Sequence, residues 1–377
     1  MAGIYIHIPF CKQACSYCDF HFSTKLTNKK SVLSAIEKEL KLRSNYLGQE
    51  LVDTIYLGGG TPSLLSEIEL QSIFQTVLNN YTVSDHAEIT LEANPDDLTK
   101  VKLQELKQTP INRLSIGVQS FFEEDLRFMN RAHNAKEAVT SIQNAKEVGF
   151  DNLSIDLIFG SQTTSNEMWQ RNLSIFFDLG INHLSAYSLT VEEKTALAHN
   201  IAKGKVKNID DEKNYTQYLI LQNAIKENGF EQYELSNYCI DESYSKHNTS
   251  YWQNKKYLGI GPSAHSFNGI SRQWNVKNNT LYTKAINEGN SYFEKEELSE
   301  IDRYHEYLIT SLRTKWGVDV SKMDMLFSPS IVEHFKTKIF FVDKSLVDLS
   351  HDNLTVKSDN LFQSDEVVRQ LMIDLKE

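Results

Sequence analysis

Cysteine is scarce in this chain, with four residues in 377. So few cannot staple a polypeptide of this size, and no secretory segment stands before them. A disulfide framework is therefore not expected, and a reducing, cytoplasmic setting is. Long apolar runs are also missing; none approaches the roughly 18 residues of a membrane span. Basic excess is lacking as well. Lysine and arginine number 39 against 50 acidic residues, a net charge of −11. That balance argues against nucleic acid as the main partner, because phosphate binding wants a basic field. No low-complexity tail is present. Apolar residues make up 40%, enough for substantial cores, and the length suits two or three domains or one large barrel with an appendage.

Three of the four cysteines stand together. Cys11, Cys15 and Cys18 lie in HIPFCKQACSYCDF, spaced C-x3-C-x2-C, just after the apolar run at 4–8. Cys239 is remote and reads as an ordinary buried thiol. Three close thiols without a neighbouring fourth suggest an iron–sulfur cluster with one iron left open to a substrate or cofactor, since a thiolate-held cubane normally uses four cysteines. A structural zinc site also fills four positions, and His7 or His21 could complete one. Zinc and simple burial stay open on this motif alone.

The first half alternates β-rich and helical runs. Strands are predicted at 4–8, 54–57, 88–91, 113–117, 153–158 and 183–188, and helices at 29–45, 67–78, 100–106, 135–148 and 166–179. Such alternation implies parallel pairing with right-handed crossovers. Polar residues cluster at the strand ends: Gly58 to Thr61, Glu92 and Asn94, Gln119, Asp156, and Thr190. Barrel sites are built at this C-terminal rim from several strands at once, and the three cysteines follow the first strand onto the same rim. The expected fold is α/β, a partial (β/α)6 TIM-like barrel with a smaller C-terminal α-rich domain. Beyond Thr190, helices are expected at 192–200 and 211–228, a strand at 233–235, and a final helix at 365–375. Domain bounds are expected at 1–230 for the core, 231–299 for an extension, and 300–377 for a helical, winged-helix-like unit. Asp156 stands in an otherwise apolar strand, SIDLIFG. A buried carboxylate there needs a partner, which favours a functional role. Three glycines alone more often mark a turn, and Arg131 unaided reads as a surface charge.

Together, YIHIPFCKQACSYCDF, YLGGGTPSLL, the ANP after Glu92, LSIGVQSF and DLIFG resemble the radical S-adenosylmethionine (SAM) enzymes of the oxygen-independent coproporphyrinogen III dehydrogenase family. GIGPSAHSF and HNTSYW strengthen the resemblance, which spans nearly the whole chain. It implies a 4Fe-4S cluster on Cys11, Cys15 and Cys18, with S-adenosyl-L-methionine chelating the fourth iron. Tyr5 and Tyr17 are then expected beside the cofactor, Gly59, Gly60 and Thr61 at its methionine amine, and Glu92, Gln119, Arg131, Asp156 and Thr190 along the rest of its cleft. In that family an electron from the cluster cleaves the sulfonium to methionine and a 5′-deoxyadenosyl radical. In the dehydrogenase the radical starts the conversion of a propionate to a vinyl group.

Two departures point to the heme-chaperone (HemW-type) branch of the family. Dehydrogenases carry a fourth cysteine two residues after the third, where this chain has Phe20, and they have a long extension before the first strand. HNTSYW matches the HNxxYW signature of the chaperone branch. The branch implies binding of heme, transient contact with heme-accepting respiratory membrane proteins, an electron donor, and compatibility with a homodimer. His247 is the preferred heme ligand, because histidine ligates heme iron and aromatics pack on porphyrin faces. A polar helix start with packed aromatics is the plain alternative for this run, and His265 in PSAHSF is a competing ligand. A dehydrogenase or a radical SAM methyltransferase remain the competing activities. One loop departs further, reading Gly160-Ser161-Gln162-Thr163 where relatives have Leu-Pro-Gly after the glycine. Iron and sulfide analysis of anaerobically prepared protein should return both elements; zinc without sulfide would reject the cluster.

Overall fold

The computed structural model describes residues 2–350 and 352–373. Its frame is a run of parallel strands, β1 (Ala2–Ile8), β2 (Val52–Gly59), β3 (Val83–Ala93), β4 (Arg113–Gln119), β5 (Asn152–Phe159) and β6 (His183–Ser188). Each pairs in parallel with the next. Between them lie α1 (Lys29–Leu42), α2 (Glu67–Asn80), α3 (Lys100–Lys107), α4 (Glu123–Phe128), α5 (Ala135–Glu147) and α6 (Asn166–Asp178). The six strands expected in the first half are all present, with β2 and β3 extending past the apolar segments that signalled them.

The physical causes are local. Every residue of β4 is buried, as expected of a parallel strand covered on both faces. Helices α2 and α5 start at capping boxes, Ser66 with Glu69 and Asn134 with Glu137. Ile4, Ile6, Leu57, Leu91, Ile116, Ile155 and Leu184 join α-helical residues such as Ile36, Phe74 and Ile142 in one core.

After β6 come α7 (Ala196–Ala202), α8 (Asp211–Glu227), β7 (Glu231–Gln232), β8 (Asn237–Cys239), α9 (Lys246–Trp252), β9 (Tyr257–Ile260), β10 (His265–Phe267), β11 (Ser271–Asn275), α10 (Asn279–Glu288) and β12 (Phe293–Glu297). They widen the sheet to the order β12-β11-β10-β9-β1-β2-β3-β4-β5-β6-β8-β7. Its edges are β12 and β7, so the sheet is open rather than a closed barrel among the described residues. β9 lies parallel to β1, whereas β10 to β12 run antiparallel.

Two boundaries differ from expectation. Residues 233–235 are the turn between β7 and β8, not a strand. The Glu234 carboxylate accepts from the Ser236 N–H at 3.1 Å and the Tyr233 N–H donates to the Asn237 carbonyl at 3.1 Å, which closes the hairpin. The helix expected at 192–200 begins only at Ala196, after Thr195 caps it by accepting from the Ala198 N–H at 3.1 Å.

A second core follows. It is built from α11 (Glu300–Leu312), β13 (Val318–Asp319), α12 (Val320–Leu326), α13 (Pro329–Lys338), β14 (Val347–Ser350), β15 (Asn353–Val356) and α14 (Ser364–Leu371). Tyr304, Leu308, Phe335, Leu354, Val367 and Leu371 pack within it, and a three-stranded sheet ordered β13-β15-β14 lies among its helices. The final helix ends at Leu371; residues 374 and 375 of its expected span lie outside the described residues.

One buried charge joins α1 to the added strands. Glu39 is fully buried and accepts from the Gly261 N–H at 2.8 Å, from Asn275 Nδ2 at 2.9 Å and from the Tyr282 hydroxyl. Its charge partner is Arg43, at 3.4 Å. Glu39→Ala should destabilise the protein by about 3–5 kcal/mol, because it leaves the buried guanidinium without its charge partner, although Gly259 and Gln273 still accept from it. Urea unfolding checks this, and a shift below 1 kcal/mol would show that the group is solvated.

Candidate functional site

The C-terminal ends of β1 to β6 converge on a cleft of about 620 Å³, within the range of small-molecule sites, about 300–1,000 Å³. Cys11, Cys15 and Cys18 line it together with Tyr17, Gly59, Gly60, Thr61, Glu92, Gln119, Arg131, Asp156 and Thr190. Residues from six strand ends thus share one space, as a parallel sheet with this rim requires.

Register explains the convergence. Ile8 pairs with Gly59, Ala93 with Ile116, and Gly117 with Asp156. At Gly59 the backbone takes φ +102°, and a Cβ there would meet the His7 ring at 2.3 Å. Only glycine fits, and the exposed N–H that results donates to Glu92 Oε2 at 3.0 Å. Gln119 also has positive φ, at 68°, where the β4 register shifts; a non-glycine in that conformation stores strain at the rim.

Charge is arranged unequally. Arg131 donates to the Asn94 side-chain oxygen at 2.7 Å, to the Gly117 carbonyl at 2.6 Å and to Cys15 Sγ at 3.2 Å. Its Nε is buried without a partner. Burial pulls against the guanidinium, but Tyr17 and Cys15 beside it hold it protonated. Glu92 has no such cation. It accepts from the Tyr56 hydroxyl at 2.9 Å and the Gly59 N–H, and burial, with Asp156 nearby, pushes it up to about 7. Asp156 is pushed up to about 6 by burial, against hydrogen bonds from Ser185 and Ser115. A carboxyl in this state gains from an incoming ammonium group.

The chemistry of the thiols bears on the implied cluster. All three cysteines are free and partly exposed to the same cleft. Burial pushes Cys11 and Cys18 up to about 11, so metal binding must displace their protons. Among the described residues no group of three or more His, Cys, Asp or Glu is placed to hold a single ion. A polynuclear cluster asks for something else, one thiolate per iron around a larger body. The donor set fits that group. Cys11, Cys15 and Cys18 would hold it, and when bound it supplies one-electron reduction of a ligand on its open iron. Glu92, with its uncompensated carboxyl, and the Gly59–Thr61 turn would orient an amino-acid moiety, while Asn94 and Arg131 offer polar contacts.

Two of the expected site residues lie away from the thiol cleft. Tyr5 does not line the thiol cleft. Alternation along β1 places it with His7, facing a second cleft of about 670 Å³, and its hydroxyl lies 3.0 Å from His7 Nδ1. His247 is buried at 1% exposure and lines neither cleft. Its Nδ1 lies 2.8 Å from Thr54 Oγ1 and its Nε2 2.8 Å from the Tyr251 hydroxyl, and its ring stacks on Tyr56 at 5.0 Å. Both nitrogens are spent, so in this arrangement it has none to offer a heme iron. Burial pushes it down to about 3, and it acts as an interior brace. The plain alternative, a helix start with packed aromatics, describes α9 well.

Sequence reading missed Tyr56, which positions Glu92, and Tyr187, which lines both clefts. Tyr56 lies two residues before Gly58 on β2, so strand alternation was the available signal. Phe20 also lines both clefts, at 68% exposure.

The raised Glu92 has a pH signature. Its folded pKa exceeds the ordinary 4.5, so the folded state holds the proton longer. The stabilising contribution is complete below 4.5 and is lost as pH rises to about 7. In metal-free protein Glu92→Gln should remove about 3 kcal/mol of that decline. Urea midpoints from acid to neutral pH measure it, and parallel curves for the two proteins would refute the assignment.

Comparison with known proteins agrees with this geometry. The radical SAM superfamily profile matches residues 5–174. The heme chaperone HemW of Bacillus subtilis (strain 168) is 35% identical over 363 residues, 93% of this chain and 96% of that protein. The heme chaperone HemW of Mycobacterium tuberculosis (strain H37Rv) is 30% identical, covering 98% and 94%. Among solved structures, the coproporphyrinogen III oxidase of Escherichia coli superposes with TM-score 0.85 at 22% identity, covering 99% of this chain and 90% of that one; this likeness establishes the fold. The chain belongs to the radical SAM superfamily, in the family of the HemW-type heme chaperones.

Proposed function

We propose that this protein is a heme chaperone. It binds heme, a 4Fe-4S cluster and S-adenosyl-L-methionine, and it delivers heme to respiratory proteins without converting coproporphyrinogen III. The observation that carries this reading is the full-length similarity to chaperones named for heme, at 35% identity in one case. Phe20 supports it, since an exposed aromatic stands where the dehydrogenase has a cysteine, and it faces the space between the two clefts.

On this reading residues 1–230 form the radical SAM core, its parallel strands a partial barrel. Residues 231–299 extend it, and 300–377 form a winged-helix-like unit free to contact a client. Cys11, Cys15 and Cys18 hold the cluster, and Tyr17, Gly59, Gly60, Thr61, Glu92, Gln119, Arg131, Asp156 and Thr190 surround the S-adenosyl-L-methionine. The protein works in the cytoplasm and draws on an electron donor. Heme hand-off needs only transient proximity to a membrane client; among the described residues no helix is long and apolar enough to cross a membrane.

The test uses cluster-reconstituted protein, anaerobic, with reductant, S-adenosyl-L-methionine and coproporphyrinogen III. The expected result is no product lighter by two decarboxylations, together with saturable heme binding in a parallel titration. Appearance of the doubly decarboxylated product would make the protein a dehydrogenase and overturn the reading.

A further inference from the structure

We propose that heme sits in the second cleft, with His265 as the protein ligand to its iron and with Arg272 and Lys277 meeting its propionates. This assignment rests on the heme-chaperone reading and locates its cargo site. The cleft opens beside the thiol cleft, with Asp19, Phe20, Tyr187 and Ser236 belonging to both.

Three histidines line this cleft, and among the described residues only His265 has both ring nitrogens free of hydrogen bonds. His7 is buried, with Nδ1 against the Tyr5 hydroxyl at 3.0 Å and Nε2 against the His21 carbonyl at 2.8 Å. His21 holds Asn279 Oδ1 at 2.7 Å through Nε2, and its ring stacks on His7. His265 is exposed to the cleft and no hydrogen bond occupies its ring among the described residues. Burial and the nearby Arg272 lower its pKa, which keeps the imidazole neutral, the form that ligates a metal.

Its backbone is fixed. His265 pairs with Trp274 across β10 and β11, and its carbonyl crosses β9 so closely that a Cβ at Gly259 would lie 1.9 Å away. A ligand on such a rigid strand is preorganised.

The walls suit a flat apolar ring. Tyr251, Trp252, Tyr257 and Phe267 are among its lining, with Tyr251 set edge-on to Tyr257 at 4.6 Å, and Phe20 lines both clefts. Two cations line the cleft on either side of His265's partner Trp274: Arg272 on β11 and Lys277 just after that strand. Arg272 is paired with Glu306 at 3.0 Å yet remains 40% exposed, and Lys277 donates to the Asp19 carbonyl at 3.1 Å. Asp19 and Glu234 are the acidic residues of the lining and Arg272 and Lys277 its arginine and lysine, so carboxylates of the ligand are directed to Arg272 and Lys277.

Hemin titration of the full-length protein, followed by absorbance and electron paramagnetic resonance, tests this. His265→Ala should weaken binding about tenfold or more and alter the Soret band, and added imidazole should restore the wild-type spectrum. His265→Met keeps the bulk and should change the spectrum by changing the ligand atom. The double variant R272Q/K277Q should weaken binding and flatten its salt dependence while leaving the iron's spectrum unchanged. Wild-type affinity and spectrum in both His265 variants, with the wild-type protein binding heme, would overturn the site alone. Failure of the wild-type protein to bind heme would overturn the chaperone reading and this proposal with it.

Discussion

Everything in this molecule depends on six strands pairing in parallel and in chain order. Parallel pairing sends each connection back across the sheet, so every strand ends on the same rim. A loop after the first strand and a carboxylate in the fifth, Cys11 and Asp156, face one cleft only for that reason. The pairing of β9 with β1 extends the same logic outward. It brings a chain segment more than two hundred residues downstream against the strand that leads into the thiols, and so sets a second cleft beside the first.

Within the thiol cleft, electrostatics is deliberately incomplete. The Arg131 guanidinium ties the cysteine loop to β3 and β4 through Cys15, Asn94 and Gly117, a positive anchor beside thiols that must lose protons. The acidic side, Glu92 and Asp156, is hydrogen-bonded but lacks a close cation. Burying carboxyls this way destabilises their charged forms, and a ligand bringing both an ammonium and a carboxylate would relieve both halves at once.

The sequence made the rim legible because the cysteine spacing is local and the strands carry strong apolar signals. Gly59, Thr61, Glu92, Gln119, Arg131 and Asp156 all meet there. It misled where a residue's role depended on which face it presents. Tyr5 is one strand position from the apolar face of β1 and so falls in the other cleft. His247 sits in a suggestive motif, yet the seven-residue helix α9 turns it inward onto Thr54 and Tyr56. The short strands β7 to β12 left little periodicity to read, and the turn at Glu234 was set by a side-chain contact no pattern encodes.

The brace at His247 bears on how genetics would describe this protein. Thr54, His247 and Tyr251 form a continuous chain of contacts from the second strand to the wall of the outer cleft. Gly3 leaves room for it, since a Cβ there would lie 2.8 Å from Thr54 Oγ1 and 3.3 Å from the His247 ring. Substitutions at residues 3, 54 and 247 would therefore reach that wall through Tyr251, although none of the three lines the outer cleft. A phenotype on altering His247 would then be that of a displaced tyrosine, since both of its ring nitrogens are already held.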